Sequence, residues 1–284
     1  MKRLILLMHC PDKKGIIAAV TNFIHQRNGN IVYIDQYVDR IQGAFFMRIE
    51  VEGDFDLSNF EKFKTTFKKE LGEPFQMSCS FYLADVLPKM AVFVSKYDHC
   101  LYDILAQQSS GKLACTIPFI ISNHKDLEPI AKQFNIPFYH IAVSKDNKEE
   151  AETKQLELLK KYEVNCIVLA RYMQIVSSRI IDVYPSKIIN IHHSFLPAFP
   201  GAKPYHSAFQ RGVKIIGATS HYVTEELDAG PIIEQDIIRV SHGHEVKDFI
   251  LKGQDLERIV LLRALKLHCE RKIMTYNNKT IVFN

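Results

Sequence analysis

"NCIVLAR", residues 165–171, is an apolar run too short for a helix and without the alternation of a strand that has one wet face. A strand of this kind is buried on both sides, the condition of a parallel sheet covered by helices. Towards the N-terminus, "KMAVFVSK" (89–96), "LACTIPFIISN" (113–123) and "IPFYHIA" (136–142) repeat the signal. Between them, "CLYDILAQQSSG" (100–111), "LEPIAKQFN" (127–135) and "NKEEAETKQLELLKKY" (147–162) carry helical spacing. The alternation predicts an α/β unit with an open, mostly parallel, Rossmann-like sheet and its ligands at the carboxyl ends of the strands. Downstream, "SKIINIHH" (186–193), "KIIGATSHYV" (214–223) and "PIIEQDIIRV" (231–240) are further β-rich runs. The last helix, 245–272, is expected to break near Gly253, because glycine is a poor interior helix residue.

Upstream of residue 84 the pattern is different. "RLILLMH" (3–9), "NIVYIDQYVD" (30–39), "GAFFMRIEVEG" (43–53) and "FQMSCSFYLA" (75–84) read as strands, and "GIIAAVTNFIHQR" (15–27) and "LSNFEKFKTTFKKELG" (57–72) as helices. That order, βαββαβ, is the ferredoxin-like plan. Residues 1–83 are therefore expected to form one domain, 84–89 a linker and 90–284 a second domain.

Composition narrows the classes. A chain of 284 residues, 47% hydrophobic and 24% charged, buries a full core. Its net charge of +4 is spread among acids, so nucleic acid is not an expected partner. No run reaches the roughly 18 apolar residues of a membrane span, and "MKRLILLMHC" is too short for a secretion signal. The cytoplasm is the expected compartment. The six cysteines are scattered without a CxxC pair and read as reduced core thiols.

"IINIHHSFLPAFPGAKPYH" (188–206) concentrates the chemistry. His192 and His193 are adjacent, so on a strand they point to opposite faces and chelate poorly; no metal is expected. Period two instead puts Asn190, His192 and Ser194 on one face, with His193 on the other. "SHYVTEELDAGPII" supplies Asp228 in a turn before Gly230 and Pro231. An amide donor, a titratable base and a carboxylate are the parts needed for acyl transfer. The turn after the first strand of this unit, "SKYDHCL" (95–101), has no glycine with which to cradle a phosphate, and Lys96 reads as a surface residue.

Two resemblances extend this reading. "CPDKKGIIAAVTNFIHQRNGNI" followed by "FFMRIEVE" resembles an ACT domain, a small regulatory module that binds amino acids between paired copies; the alternative is a module used only for assembly. An effector carboxylate would meet the backbone amides near Lys14, Gly15 and Ile16, with Asn30 close by. "NIHHSFLPAFPG", "VLARYMQIVS" and "GATSHYVTEELDAGPIIEQ" resemble the folate-dependent formyltransferase fold, and most closely the formyltetrahydrofolate deformylases.

The resemblance implies hydrolysis of 10-formyltetrahydrofolate to tetrahydrofolate and formate without a cofactor. It assigns Asn190 to the formyl oxygen, His192 to proton transfer and Asp228 to orienting the imidazole. Met173, Gln174, Ile175 and Val176 would line the folate pocket, together with Val223, Thr224, Glu225, Glu226 and Leu227; core packing is the alternative for Met173 and Ile175. Transferases that use a ribonucleotide amine carry proline in place of His193 and a glycine-rich loop in place of "SKYDHCL", which leaves water as the acceptor. His193 and His206 are assigned to selectivity or support of the site. Methionine or glycine as effector and a homo-oligomer complete the expectation. A formyltransferase acting on an amine, and a non-catalytic folate or amino-acid sensor, are the rival readings.

Overall fold

The computed structural model describes residues 2–54, 57–198 and 204–283. They form two compact units: Met1–Leu87 with Arg271–Met274 and Ile281–Asn284, and Pro88–Glu270 with Thr275–Thr280.

In the first unit, β1 (Lys2–Pro11), α1 (Ile16–His25), β2 (Asn30–Asp39), β3 (Ala44–Gly53), α2 (Leu57–Phe67), α3 (Glu73–Phe75) and β4 (Ser78–Leu83) give the expected βαββαβ order. The antiparallel sheet runs β2-β3-β1-β4. Its central strands, β1 and β3, are buried on both faces along most of their length, while β2, at the edge, alternates. Phe23, Phe63, Phe67 and Phe81 meet largely edge to face in the core, the geometry that aromatic quadrupoles favour. The helix read over 57–72 is interrupted: α2 stops at Phe67 and a π-helical turn, Lys68–Gly72, joins it to α3. Arg48, on β3, is buried, and its charge is met by Glu50 at 2.7 Å and its Nε by the Arg271 carbonyl at 2.9 Å.

The second unit contains β5 (Met90–Val94), α4 (His99–Ser109), β6 (Ile120–Ser122), α5 (Glu128–Gln133), β7 (Phe138–His140), α6 (Lys148–Lys161), β8 (Cys166–Leu169) and α7 (Ser178–Ile181). It continues through β9 (Ile188–His192), α8 (Pro204–Arg211), β10 (Ile215–Tyr222), β11 (Ile232–Arg239) and α9 (Val246–Cys269). The sheet order is β11-β10-β9-β8-β5-β6-β7; β5 to β9 are parallel, and β10 and β11 are antiparallel additions at one edge.

Two expectations fail here. The strand read over 113–123 is confined to Ile120–Ser122; Pro118 donates no ladder hydrogen bond, and ahead of it an isolated Lys89–Thr116 bridge is the pairing with the sheet. Helix α9 does not break at Gly253. A β-carbon there would lie 2.2 Å from the Tyr205 ring, so the glycine marks close packing rather than a helix end. A C-terminal hairpin, β12 (Ile273–Tyr276) and β13 (Lys279–Val282), was not foreseen; Asn277 and Asn278 turn it with φ of 44° and 59°. Among the described residues, no helix is long and apolar enough to cross a membrane.

Candidate active site

Strand pairing builds the site. In β9, Asn190 and His192 share a face by period two, and antiparallel β10 sets His221 opposite Asn190 and Thr219 opposite His192. The chain then returns in a loop that carries Asp228, whose left-handed φ of 57° is one that aspartate tolerates. Gly230 lets this loop press onto β10, since a β-carbon there would sit 1.8 Å from the Tyr222 carbonyl oxygen. Asn278, from the turn of the C-terminal hairpin, donates to the Ala229 carbonyl at 2.9 Å and braces the same loop.

The side chains converge at the carboxyl end of the parallel strands. His192 Nδ1 lies 3.2 Å from Asp228 Oδ2, and His221 Nε2 lies 3.6 Å from Oδ1, an electrostatic contact rather than a hydrogen bond. His221 Nδ1 is 2.9 Å from the Tyr222 carbonyl, which only accepts, so that nitrogen carries the proton. In the neutral ring the Nε2 lone pair accepts from Asn190 Nδ2 at 3.2 Å. The Asp228 carboxyl is held well below the usual carboxylate range, first by the hydrogen bond from His192 and then by His221, against its partial burial. An ionised Asp228 accepts the hydrogen bond from Nδ1–H of His192 and leaves Nε2 as the working nitrogen. That Nε2 is buried and has no partner among the described residues. An oriented base beside an amide donor suits the chemistry of a carbonyl carbon.

The other expected residues fall into distinct places. The loop after β8 exposes Met173 and Ile175, 47% and 63% accessible, while Val176 is buried in the core and Gln174 is intermediate. Core packing therefore does not account for Met173 or Ile175. Two buried residues of α6 hold that loop: Glu152 accepts from the Ser177 amide at 2.9 Å and from its hydroxyl at 2.5 Å, and Gln155 donates to the Tyr172 hydroxyl at 2.9 Å. Val223 packs against the core, Thr224 is intermediate, and Glu225, Glu226 and Leu227 are exposed before Asp228. Ser194, expected to face with Asn190 and His192, lies beyond the end of β9 and donates to the Ala198 carbonyl. His193 is buried, its ring 5.2 Å from His192 and 5.9 Å from Tyr205. His206 is exposed on α8, outside the Asn190, His192 and Asp228 group; residues 199–203, part of the quoted motif, lie outside the described residues. In the first unit, Lys14 and Gly15 are exposed before α1, Ile16 is buried, and Asn30 is exposed at the start of β2.

Sequence reading missed His221. The signal was its place in "SHYV", where antiparallel register with "NIHH" sets it across from Asn190. Among the described residues, His99, Cys100 and Glu257 lie close enough to share a cation. Glu257 Oε2 already faces His99 at 2.8 Å and Arg171 at 3.6 Å, so a metal would have to displace a guanidinium.

Comparison with known proteins gives this geometry a family. A profile described as "Formyl transferase" matches residues 88–265, and one described as "ACT domain" matches 4–62. Formyltetrahydrofolate deformylase of Synechocystis sp. is 52% identical over 98% of this chain and 97% of its own. The crystal structure of a formyltetrahydrofolate deformylase from Pseudomonas syringae pv. tomato superposes with a TM-score of 0.95 at 43% identity, covering 100% of this chain and 95% of that one. Glycinamide ribonucleotide transformylase 1 of Symbiobacterium toebii is more distant: TM-score 0.66 at 27% identity, over 72% of this chain and 97% of its own. Likeness that runs through both domains and the whole length of the chain makes it a member of the formyltetrahydrofolate deformylase family.

Proposed function

We propose that this protein hydrolyses 10-formyltetrahydrofolate to tetrahydrofolate and formate at the Asn190, His192, His221 and Asp228 cluster. The observation that carries the mechanism is the buried Nε2 of His192, without a partner among the described residues and fixed as acceptor because Asp228 holds Nδ1. Nε2 takes a proton from water as the oxygen attacks the formyl carbon, and Asn190 Nδ2 donates to the oxyanion that develops. The imidazolium is stabilised by Asp228, then returns the proton to the folate nitrogen as the C–N bond breaks. Atoms and charge balance without a redox or metal cofactor. His221 acts as a positioning residue, fixing the Asn190 amide. The folate ring system is assigned to the loop Met173–Val176 and to residues 223–227.

The ACT-type module is assigned to a small-molecule effector, with methionine and glycine as the candidates to test and the Lys14–Ile16 amides as the docking point, in a homo-oligomer. Formate release from 10-formyltetrahydrofolate by purified protein, with Asp228→Asn as control, tests the catalytic reading. Acceptor-independent formate that the substitution reduces about a hundredfold or more supports it. Formyl transfer to glycinamide ribonucleotide, with formate at background, would replace it by a transferase; binding without turnover would leave a sensor.

A further inference from the structure

The strand order of the larger sheet reverses between β5 and β8: β5 leads on to β6 and β7 on one side, and β8 to β9 and β10 on the other. A doubly wound sheet holds its ligand in the crevice outside the carboxyl ends of two such strands. In this protein the crevice mouth is formed by Ser95–His99 and Ala170–Tyr172, and Ser95 Oγ bonds the Tyr172 carbonyl directly across it.

Protein side chains fill the space behind. Glu257, from α9, is fully buried; its Oε2 faces His99 Nε2 at 2.8 Å and Arg171 Nε at 3.6 Å, and its Oε1 accepts from the Tyr205 hydroxyl at 2.5 Å. The Arg171 guanidinium also covers the Tyr97 ring, 4.6 Å from its centre. Burial alone would push the Glu257 carboxyl up, but His99, Arg171 and Tyr205 outweigh it and hold it below its ordinary value. Gly253 completes the arrangement, since any β-carbon there would occupy the place of the Tyr205 ring. His193 joins this cluster to the reacting centre, its ring lying between those of Tyr205 and His192.

Stability does not explain so many buried ionic groups, because apolar residues of similar volume fill such a site as well or better. Arg171 Nη1 and His99 Nδ1 are buried without partners among the described residues, so hydrogen-bonding capacity is left over in the cluster. We propose that His99, Arg171, Tyr205 and Glu257 form a polar plug that occupies the acceptor half of the cleft and restricts formyl transfer to water. The inference rests on the hydrolase reading above and adds the residues that determine its acceptor. With the plug opened, a primary amine takes the place of water: a new N–C bond forms to the formyl carbon, the folate N–C bond breaks, and the amine proton passes to the folate nitrogen.

The test compares wild type, His99→Ala and Tyr205→Phe on 10-formyltetrahydrofolate, with and without glycinamide, reading formate and N-formylglycinamide separately. Wild type is expected to give formate at a rate insensitive to the amine. His99→Ala is expected either to make N-formylglycinamide at least about tenfold above wild type or to have its formate release inhibited by the amine. Tyr205→Phe keeps the ring and the packing, and shows the same amine sensitivity more weakly; it decides the matter if His99→Ala does not fold. Wild type making formate while folded variants stay blind to the amine overturns the plug alone. Wild type making N-formylglycinamide in place of formate overturns the plug together with the hydrolase reading.

Discussion

Two histidine–carboxylate pairs lie in the same unit and differ in how many partners the carboxylate has. Asp228 sits on a tight loop, partly open to solvent, and holds one nitrogen of His192 at 3.2 Å while the other is unpartnered. Glu257 is fully buried in α9 and takes His99, Arg171 and Tyr205 together. The second nitrogen of His99 is likewise without a partner among the described residues, so the difference lies in the carboxylates: Asp228 is partly exposed and meets two histidines, His192 and His221. In the second pair, the carboxylate is saturated and held by a helix, so it shapes a space instead of reacting in it. Local partner count, not residue type, separates the two.

The sharpest way to break this contrast is to remove each histidine in turn. His192→Ala is expected to lower the turnover number for formate release by about 10²–10⁴-fold, and Asn190→Ala by about 10²–10³-fold, with KM little changed in either. A His99→Ala protein as inactive as His192→Ala would erase the distinction.

Stability should rank the pairs the other way. Glu257→Ala leaves His99 and Arg171 buried without their counter-charge and is expected to cost about 3–5 kcal/mol in urea unfolding. A cost below about 1 kcal/mol would mean that water reaches the cluster and solvates it.

Gly253→Ala sharpens the same point through packing. Helix propensity alone favours alanine by roughly 0.5–1 kcal/mol, but the Tyr205 ring stands where the methyl would go. Overpacking of this kind costs about 1–3 kcal/mol, so a lowered midpoint is expected and a raised one would contradict the packing.

The smallest effect is electrostatic. Asp228 has a folded-state pKa below the unfolded value of about 3.9, so its contribution to stability is present above that pH and drains away as pH falls through the lower folded value. The stability gap between wild type and Asp228→Asn should be widest near neutrality and narrow below about pH 4. A gap that does not change with pH would detach Asp228 from His192.

The two pairs also mark what the sequence disclosed. Asn190, His192 and Asp228 were legible because strand periodicity aims the first two and a glycine-proline turn positions the third. His221 needed the β9–β10 register, a pairing between strands that period counting on one strand does not supply. The Glu257 cluster was invisible for a similar reason: His99, Tyr205 and Glu257 come from three helices and Arg171 from the loop after β8, and they meet only when the sheet and its helices are assembled. Gly253 misled because propensity records the backbone preference and not the aromatic ring packed on it. The α/β alternation and the βαββαβ order were readable throughout, since both are local periodicities; the C-terminal hairpin, signalled only by an Asn-Asn turn, was not.

That hairpin matters to anyone who would cut this protein into its parts. Arg271–Met274 and Ile281–Asn284 belong to the first unit, although the second lies between them and Leu87 along the chain. A recombinant fragment ending at Leu87 would lack the buried Phe283 and the Arg271 carbonyl that accepts the hydrogen bond from Arg48 Nε. The ACT-type module is therefore not a removable prefix. Deleting the last fourteen residues or so would damage the beginning of the chain, and a working dissection would have to restore Arg271–Met274 and Ile281–Asn284 to the first unit.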